Sequence, residues 1–206
     1  MTPEVLIAFS SASFLLALAP GPDNLFVLSQ SALYGARSGL CVVAGLCLGL
    51  VVQTLAAALG LGVIITALPM LFWAVKIIGA LYLLYLAFLC LRYLKAGSHA
   101  REALSLSAFK LLRRGFIMNI TNPKVQIFFL AFFPQFVAKG TTGTALMAQM
   151  VVQGLIFMFM TCLVFSLVAF FAGALADKVR SERFMVVLNA LSALLFITLA
   201  VCTLCL

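Results

Sequence analysis

The chain has 206 residues, 66% of them hydrophobic and 9% charged, with a formal net charge of +8 and a mean hydropathy of +1.26. A soluble domain is roughly 45–50% apolar and about 25% charged, so this composition excludes one and specifies an integral membrane protein. The basic residues fall in short segments between apolar runs, which membrane topology explains better than nucleic-acid binding does.

In chain order, helices are expected near 4–34 (broken at 19–22), 38–66, 70–94, 110–137 (broken at 121–123), 144–176 and 183–205. Uncharged stretches such as Ser38 to Val75 and Gly140 to Ala176 are each long enough for at least one span of about 20 residues. Glu4, with no Lys or Arg before the first apolar run, argues for a retained first span over a cleaved signal peptide. One set of loops holds Arg37, the basic run from Arg92 to Arg114, and Lys178, Arg180 and Arg183, ten basic residues against Lys139 alone on the other side. The positive-inside rule then places both termini outside and the central basic loop in the cytoplasm.

The expected fold is an all-α membrane protein of six transmembrane helices, with helices 1 and 4 broken, forming a single domain over 1–206. It divides into a repeat over about 1–95, a basic loop over about 95–110 and a second repeat over about 110–206. Three helices per half make the second half enter from the opposite face, so the two repeats must be inverted. Val51-Val52-Gln53 recurs as Val151-Val152-Gln153, a weak match that agrees with helix number and break position.

The breaks are Ala19-Pro20-Gly21-Pro22-Asp23-Asn24 and Asn119-Ile120-Thr121-Asn122-Pro123-Lys124, about a hundred residues apart. Pro disrupts a helix interior but suits the first position of a new helix, so Gly21-Pro22 and Asn122-Pro123 each read as a cap followed by a helix start. Half-helix N-termini aimed into the membrane suit a carboxylate. An ionisable residue at the bilayer centre costs about 2.5–3.5 kcal/mol, yet Asp23 and Lys124 follow the two prolines at equivalent places. The expectation is a zwitterionic substrate bound by Gly21, Pro22, Asp23, Asn24, Asn122, Pro123 and Lys124, with its ammonium near Asp23 and its carboxylate near Lys124. The structural alternatives are that the prolines only kink their helices and that the two charges pair only with each other.

Second-rank candidates for the pathway are Gln53, Lys76, Gln149 and Gln153. Gly45, Gly49, Gln53 and Ala57 make a smooth face with one amide, suited to close packing within one chain or between chains of a homo-oligomer. Gln149 and Gln153, four apart, put two amides on one face of the fifth helix. Lys76 has a stem long enough to snorkel. His99 reads as a solvated loop residue, and the abundant Phe as lipid-facing bulk. Six cysteines in apolar surroundings read as small hydrophobes, and Cys202-x-x-Cys205 lacks a second half for zinc. No metal, disulfide or cofactor is expected.

At Ala19-Pro20-Gly21-Pro22-Asp23-Asn24, Thr121-Asn122-Pro123-Lys124 and Lys76-x-x-Gly79-Ala80-x-Tyr82-Leu83 the sequence resembles the LysE/RhtB family of bacterial amino-acid exporters, over essentially the whole chain. The resemblance implies a transporter, not an enzyme, that exports amino acids or close derivatives across the inner membrane by proton exchange, with Asp23 as the natural proton carrier. The P-G-P-D and N-P-K forms look closer to the homoserine, threonine and leucine branch than to the lysine and arginine branch. Rival classes are a membrane thiol-disulfide carrier, which needs reactive cysteines beside the breaks, a metal-ion exporter, and a non-transporting scaffold.

Overall fold

The computed structural model describes residues 2–67, 69–92, 106–138, 140–172, 174 and 182–205. Its helices are α1 (Pro3–Leu18), α2 (Pro22–Tyr34), α3 (Ala36–Ala67), α4 (Pro69–Arg92), α5 (Ala108–Ile120), α6 (Pro123–Ile127), α7 (Gly143–Phe170) and α8 (Glu182–Cys205), and no strand occurs among the described residues. Spans drawn from α3, α4, α7 and α8 are long and apolar enough to cross a membrane singly. The α1–α2 pair, bent by 60°, and the segment from Ala108 to Phe136, bent by 48°, each cross as one broken span, which completes six. The central basic loop, with His99, and Lys139 lie outside the described residues.

Each bend has a local cause. Pro22 and Pro123 occupy the first position of α2 and α6, where a missing N–H is harmless and the ring fixes a helical φ. Beyond α6 the chain widens into one π turn, Phe128–Phe132, and closes with a 3-10 turn, Phe133–Phe136. Pro134 is the reason: it has no N–H for the Leu130 carbonyl, and the Phe133 N–H bonds Phe128 instead. α7 is interrupted at Phe171, which turns with φ −97° and ψ 17°, and Ala172 and Ala174 are again helical; the expected end at 176 lies outside the described residues.

Packing is set by glycine. A Cβ on Gly45 would stand 2.0 Å from the Leu112 carbonyl oxygen, and one on Gly115 would stand 2.2 Å from that of Val42, so α3 and α5 touch backbone to backbone. The smooth face of α3 is thus consumed within the chain. Further contacts run between α3 and α7, α1 and α7, and α4 and α8.

The Phe residues depart from expectation. Phe9, Phe26, Phe128, Phe129, Phe133 and Phe196 are fully buried. Phe9, Phe128, Phe129, Phe133 and Phe157 form one aromatic cluster, with ring centroids 4.1 Å apart for Phe129–Phe133 and 4.9 Å for Phe128–Phe157. The π and 3-10 turns crowd consecutive aromatics together, whereas Phe88, Phe159 and Phe170 on regular helices do face outward.

Candidate functional site

A break inside a membrane leaves the last carbonyls of one half-helix and the first N–H groups of the next without water, so each group needs a partner from the protein. At the end of α1 the Lys124 ammonium donates to the Ala19 carbonyl at 3.1 Å and to that of Leu16 at 3.4 Å, while the Asn24 amide donates to Ala17 at 2.8 Å. At the end of α5 the Thr121 hydroxyl donates to Ile117 at 2.8 Å, Gln53 donates to Asn119 at 2.9 Å, and Gln126 donates to Ile120 at 2.6 Å. Side chains thus supplement the backbone bonds at both breaks, Lys124 supplying the Leu16 carbonyl that Pro20 leaves and Gln53 the Asn119 carbonyl that Pro123 leaves.

Two of these contacts cross from one half of the sequence to the other. Lys124, 108 residues from Leu16 along the chain, reaches from the second break to cap the first. Asn122 donates its Nδ2 to the Asp23 carboxylate at 2.6 Å, and its Oδ1 accepts from the Lys124 N–H at 3.0 Å. Only one orientation of the Asn122 amide satisfies both, since a carboxylate cannot donate and an N–H cannot accept. The two breaks meet and are hydrogen-bonded to each other.

Electrostatics explains how buried charges persist there. Asp23, Asn122 and Lys124 are all buried. Asp23 sits in the first turn of α2, at the positive end of that helix, and the Lys124 ammonium sits on the negative end of α1. Gly21 lets Lys124 cross this closely, since a Cβ there would meet the ammonium at 3.2 Å. The expectation of two open half-helix N-termini is corrected at the second break, where the Asn122 side chain caps α6. The first turn of α2 carries no side-chain cap.

Asp23, Lys124, Asn119 and Thr161 line a cavity of about 20 Å³ together with Leu16, Phe157 and other apolar side chains. That is room for about one water, far less than an amino acid needs. Two larger hollows, about 360 Å³ beside Gln53 and Gln126 and about 310 Å³ between α1 and α8, have overwhelmingly apolar linings. Chemistry outweighs volume here, because of these three the small cavity gathers Asp23 and Lys124.

The other expected residues separate. Gln53 braces the second break through Asn119, whose Oδ1 it also meets at 3.0 Å. Gln149, in the second turn of α7, ties down the loop before that helix: its Oε1 accepts from the Ala138 N–H at 3.0 Å and its Nε2 donates to Thr141 at 3.3 Å. Gln149 and Gln153 therefore do not share a polar cavity, since the loop captures the first. Lys76 stands 4.8 Å from the centre of the Trp73 ring and does not line the charged cavity. Pro22 and Pro123 act through the backbone. Sequence reasoning passed over Asn119 and Thr161, although the position of Asn119 in the last turn before the second break was a usable signal.

A LysE type translocator model matches residues 14–205. The chain belongs to the LysE family of translocators. It is thus a membrane transporter and not an enzyme. Among similar proteins, the leucine efflux protein of Enterobacter sp. (strain 638) is 34% identical over 194 residues, covering 91% of this chain and 89% of the relative. The leucine efflux protein of Klebsiella pneumoniae is 31% identical over 132 residues, covering 64% of this chain and 62% of the relative. That of Salmonella choleraesuis is 34% identical over 127 residues, covering 61% and 59%. The likeness to leucine efflux proteins agrees with the homoserine, threonine and leucine branch. No solved structure matches the chain.

Proposed function

We propose that this LysE-family translocator is a secondary active exporter of amino acids, with leucine as the leading substrate, across the bacterial inner membrane. The observation that carries the reading is the cross-bonding of the two breaks through Asp23, Asn122 and Lys124, with an anion and a cation both in the lining of one buried cavity. An amino acid presents the complementary pair of charges. Substrate ammonium replaces the Asn122 amide at Asp23, and substrate carboxylate draws Lys124 from the α1 carbonyls. The names of the leucine efflux relatives supply the substrate, and the charged site supplies the reason that a zwitterion fits it.

The mechanism in this reading is alternating access between two inverted repeats. Helix packing supports the repeat: contacts of the first span with the fifth and of the second with the fourth exchange when the halves are swapped, and those of the second with the fifth and the third with the sixth map onto themselves. A cavity of about 20 Å³ requires the breaks to part before an amino acid enters. Both termini lie in the periplasm in this reading, which the distribution of loop charges supports. Asp23 is the proton carrier in this scheme: ionised at the α2 N-terminus, it takes up a proton when movement of Lys124 and Asn122 removes its favourable partners.

Proteoliposomes loaded with a panel of labelled amino acids test this directly. Leucine or a neutral relative is expected to leave the vesicles, several-fold faster when protons flow inward down an imposed gradient. Equal flux with and without the gradient contradicts proton coupling, and no flux of any amino acid contradicts export itself.

A further inference from the structure

Hydroxyl groups on membrane helices have a default partner, the carbonyl four residues earlier. Ser29, Thr121, Ser192, Thr198 and Thr203 all take it, at 2.7 to 2.9 Å. Thr161, Ser13 and Ser31 do not: all three are buried, and their hydroxyl oxygens have no hydrogen-bond partner. Gln153 is a further exception, fully buried with neither its Oε1 nor its Nε2 bonded. Its counterpart in the repeated Val-Val-Gln, Gln53, is doubly engaged with Asn119. Leaving a buried amide or hydroxyl unbonded costs about 1–3 kcal/mol. These four residues together carry a standing cost.

Ser13, Gln153 and Thr161 fall on α1 and α7, while Ser31 lies apart on α2 beside Gly39. Thr161 lines the charged cavity with Asp23 and Lys124. Gln153 lies two turns before it on the buried face of α7, and Ser13 lies one turn before Leu16 and Ala17, which line the same cavity, on the buried face of α1. α1 and α7 pack together, and as first and fifth spans they run in the same direction. On α1 and α7 the unbonded groups thus succeed one another from the cavity toward the ends where both helices begin.

We propose that Ser13, Gln153 and Thr161 form a polar track between α1 and α7, with Thr161 receiving the substrate ammonium beside Asp23 and the other two lining its route to the outer face. An ammonium group has three donors, and the Asp23 carboxylate freed of Asn122 offers two oxygens, so a hydroxyl acceptor from α7 completes the set. When α1 and α7 part, the three groups exchange an unbonded state for contact with substrate and water. The inference rests on the amino-acid export proposed above and adds the residues of the third wall and the exit route.

The test uses the full-length protein in proteoliposomes with labelled L-leucine. Thr161→Val keeps the side-chain shape and removes the hydroxyl. It is expected to raise KM about tenfold at unchanged membrane level, as for one hydrogen bond to a charged group, and Thr161→Ser is expected to restore it. A wild-type KM in Thr161→Val overturns the role given to Thr161. Single cysteines at 13, 153 and 161 in a cysteine-free background, exposed to a bilayer-impermeant thiol reagent from the outer side, are expected to react and to be protected by leucine. A cysteine at lipid-facing Leu59 is expected to stay unreacted. No reaction at 13 and 153 overturns the track. If the wild type moves no amino acid, the export reading fails by itself, and the thiol reactions still decide whether the track opens to water.

Discussion

Replacing Lys124 by Met is expected to reduce leucine efflux at least about a hundredfold, because each buried hydrogen bond made by a charged group contributes about 1.5–3 kcal/mol and Lys124 makes two. Met fills the same volume, so the loss is chemical. The Leu16 and Ala19 carbonyls lose their donor and Asp23 loses a neighbouring positive charge. Asp23→Asn is a milder change structurally: the new amide oxygen still accepts from Asn122, and only the charge is removed. It is nevertheless expected to abolish efflux while the protein reaches the membrane in normal amount.

The double variant Asp23→Asn with Lys124→Gln separates two explanations. If the charges serve only each other, neutralising both restores transport. If they recognise a zwitterion, the double variant is as inactive as either single one, a non-additive outcome expected of groups that act as one site. The second result is predicted, with efflux normalised to membrane level as the measurement. Undiminished export by both single variants would contradict the site altogether.

Gly45→Ala is expected to lower the thermal midpoint in detergent by several degrees or prevent folding, whereas Gly60→Ala on the same helix is expected to leave it equal or raised. Helix propensity favours Ala over Gly by about 1 kcal/mol at either place. Space decides the difference. A Cβ on Gly45 would lie 2.0 Å from the Leu112 carbonyl oxygen and 2.8 Å from the Phe116 nitrogen, both rigid backbone, while nothing stands within 4 Å of one on Gly60. Ordinary contact begins near 3.4 Å, so α3 and α5 would have to separate by more than an ångström. That separation also draws Gln53 away from Asn119, leaving the second break without its brace. Gly45→Ala as stable as Gly60→Ala would show that the α3–α5 contact is looser than described.

The sequence made the broken spans legible because Pro22 and Pro123 carry local signals that do not depend on tertiary structure. Spans of apolar residues between charged loops were legible for the same reason. The cross-bonds were not. That Lys124 would cap α1 depends on how two distant breaks approach, and nothing in its own segment encodes a partner 108 residues away. Thr161 was hidden by its ordinariness, since a Thr in an apolar helix is expected to bond the preceding turn, as Thr198 and Thr203 do. Phe was misread because an aromatic residue suits lipid and core equally, and only the π turn after α6 decides which of them cluster. Gln149 and Gln153 share a helical face in sequence, but the proximity of the first to the loop gives it a different partner.

The central claim is that the joined breaks recognise a zwitterion, and equilibrium binding to the purified full-length protein tests it most directly. Labelled L-leucine is to be competed with leucine amide, which lacks the carboxylate, and with 4-methylpentanoate, which lacks the ammonium. Only unlabelled leucine is expected to compete effectively, with either analogue weaker by at least about thirtyfold, the loss of one charged contact of about 2 kcal/mol. An analogue missing one charge that competes as well as leucine would contradict the account.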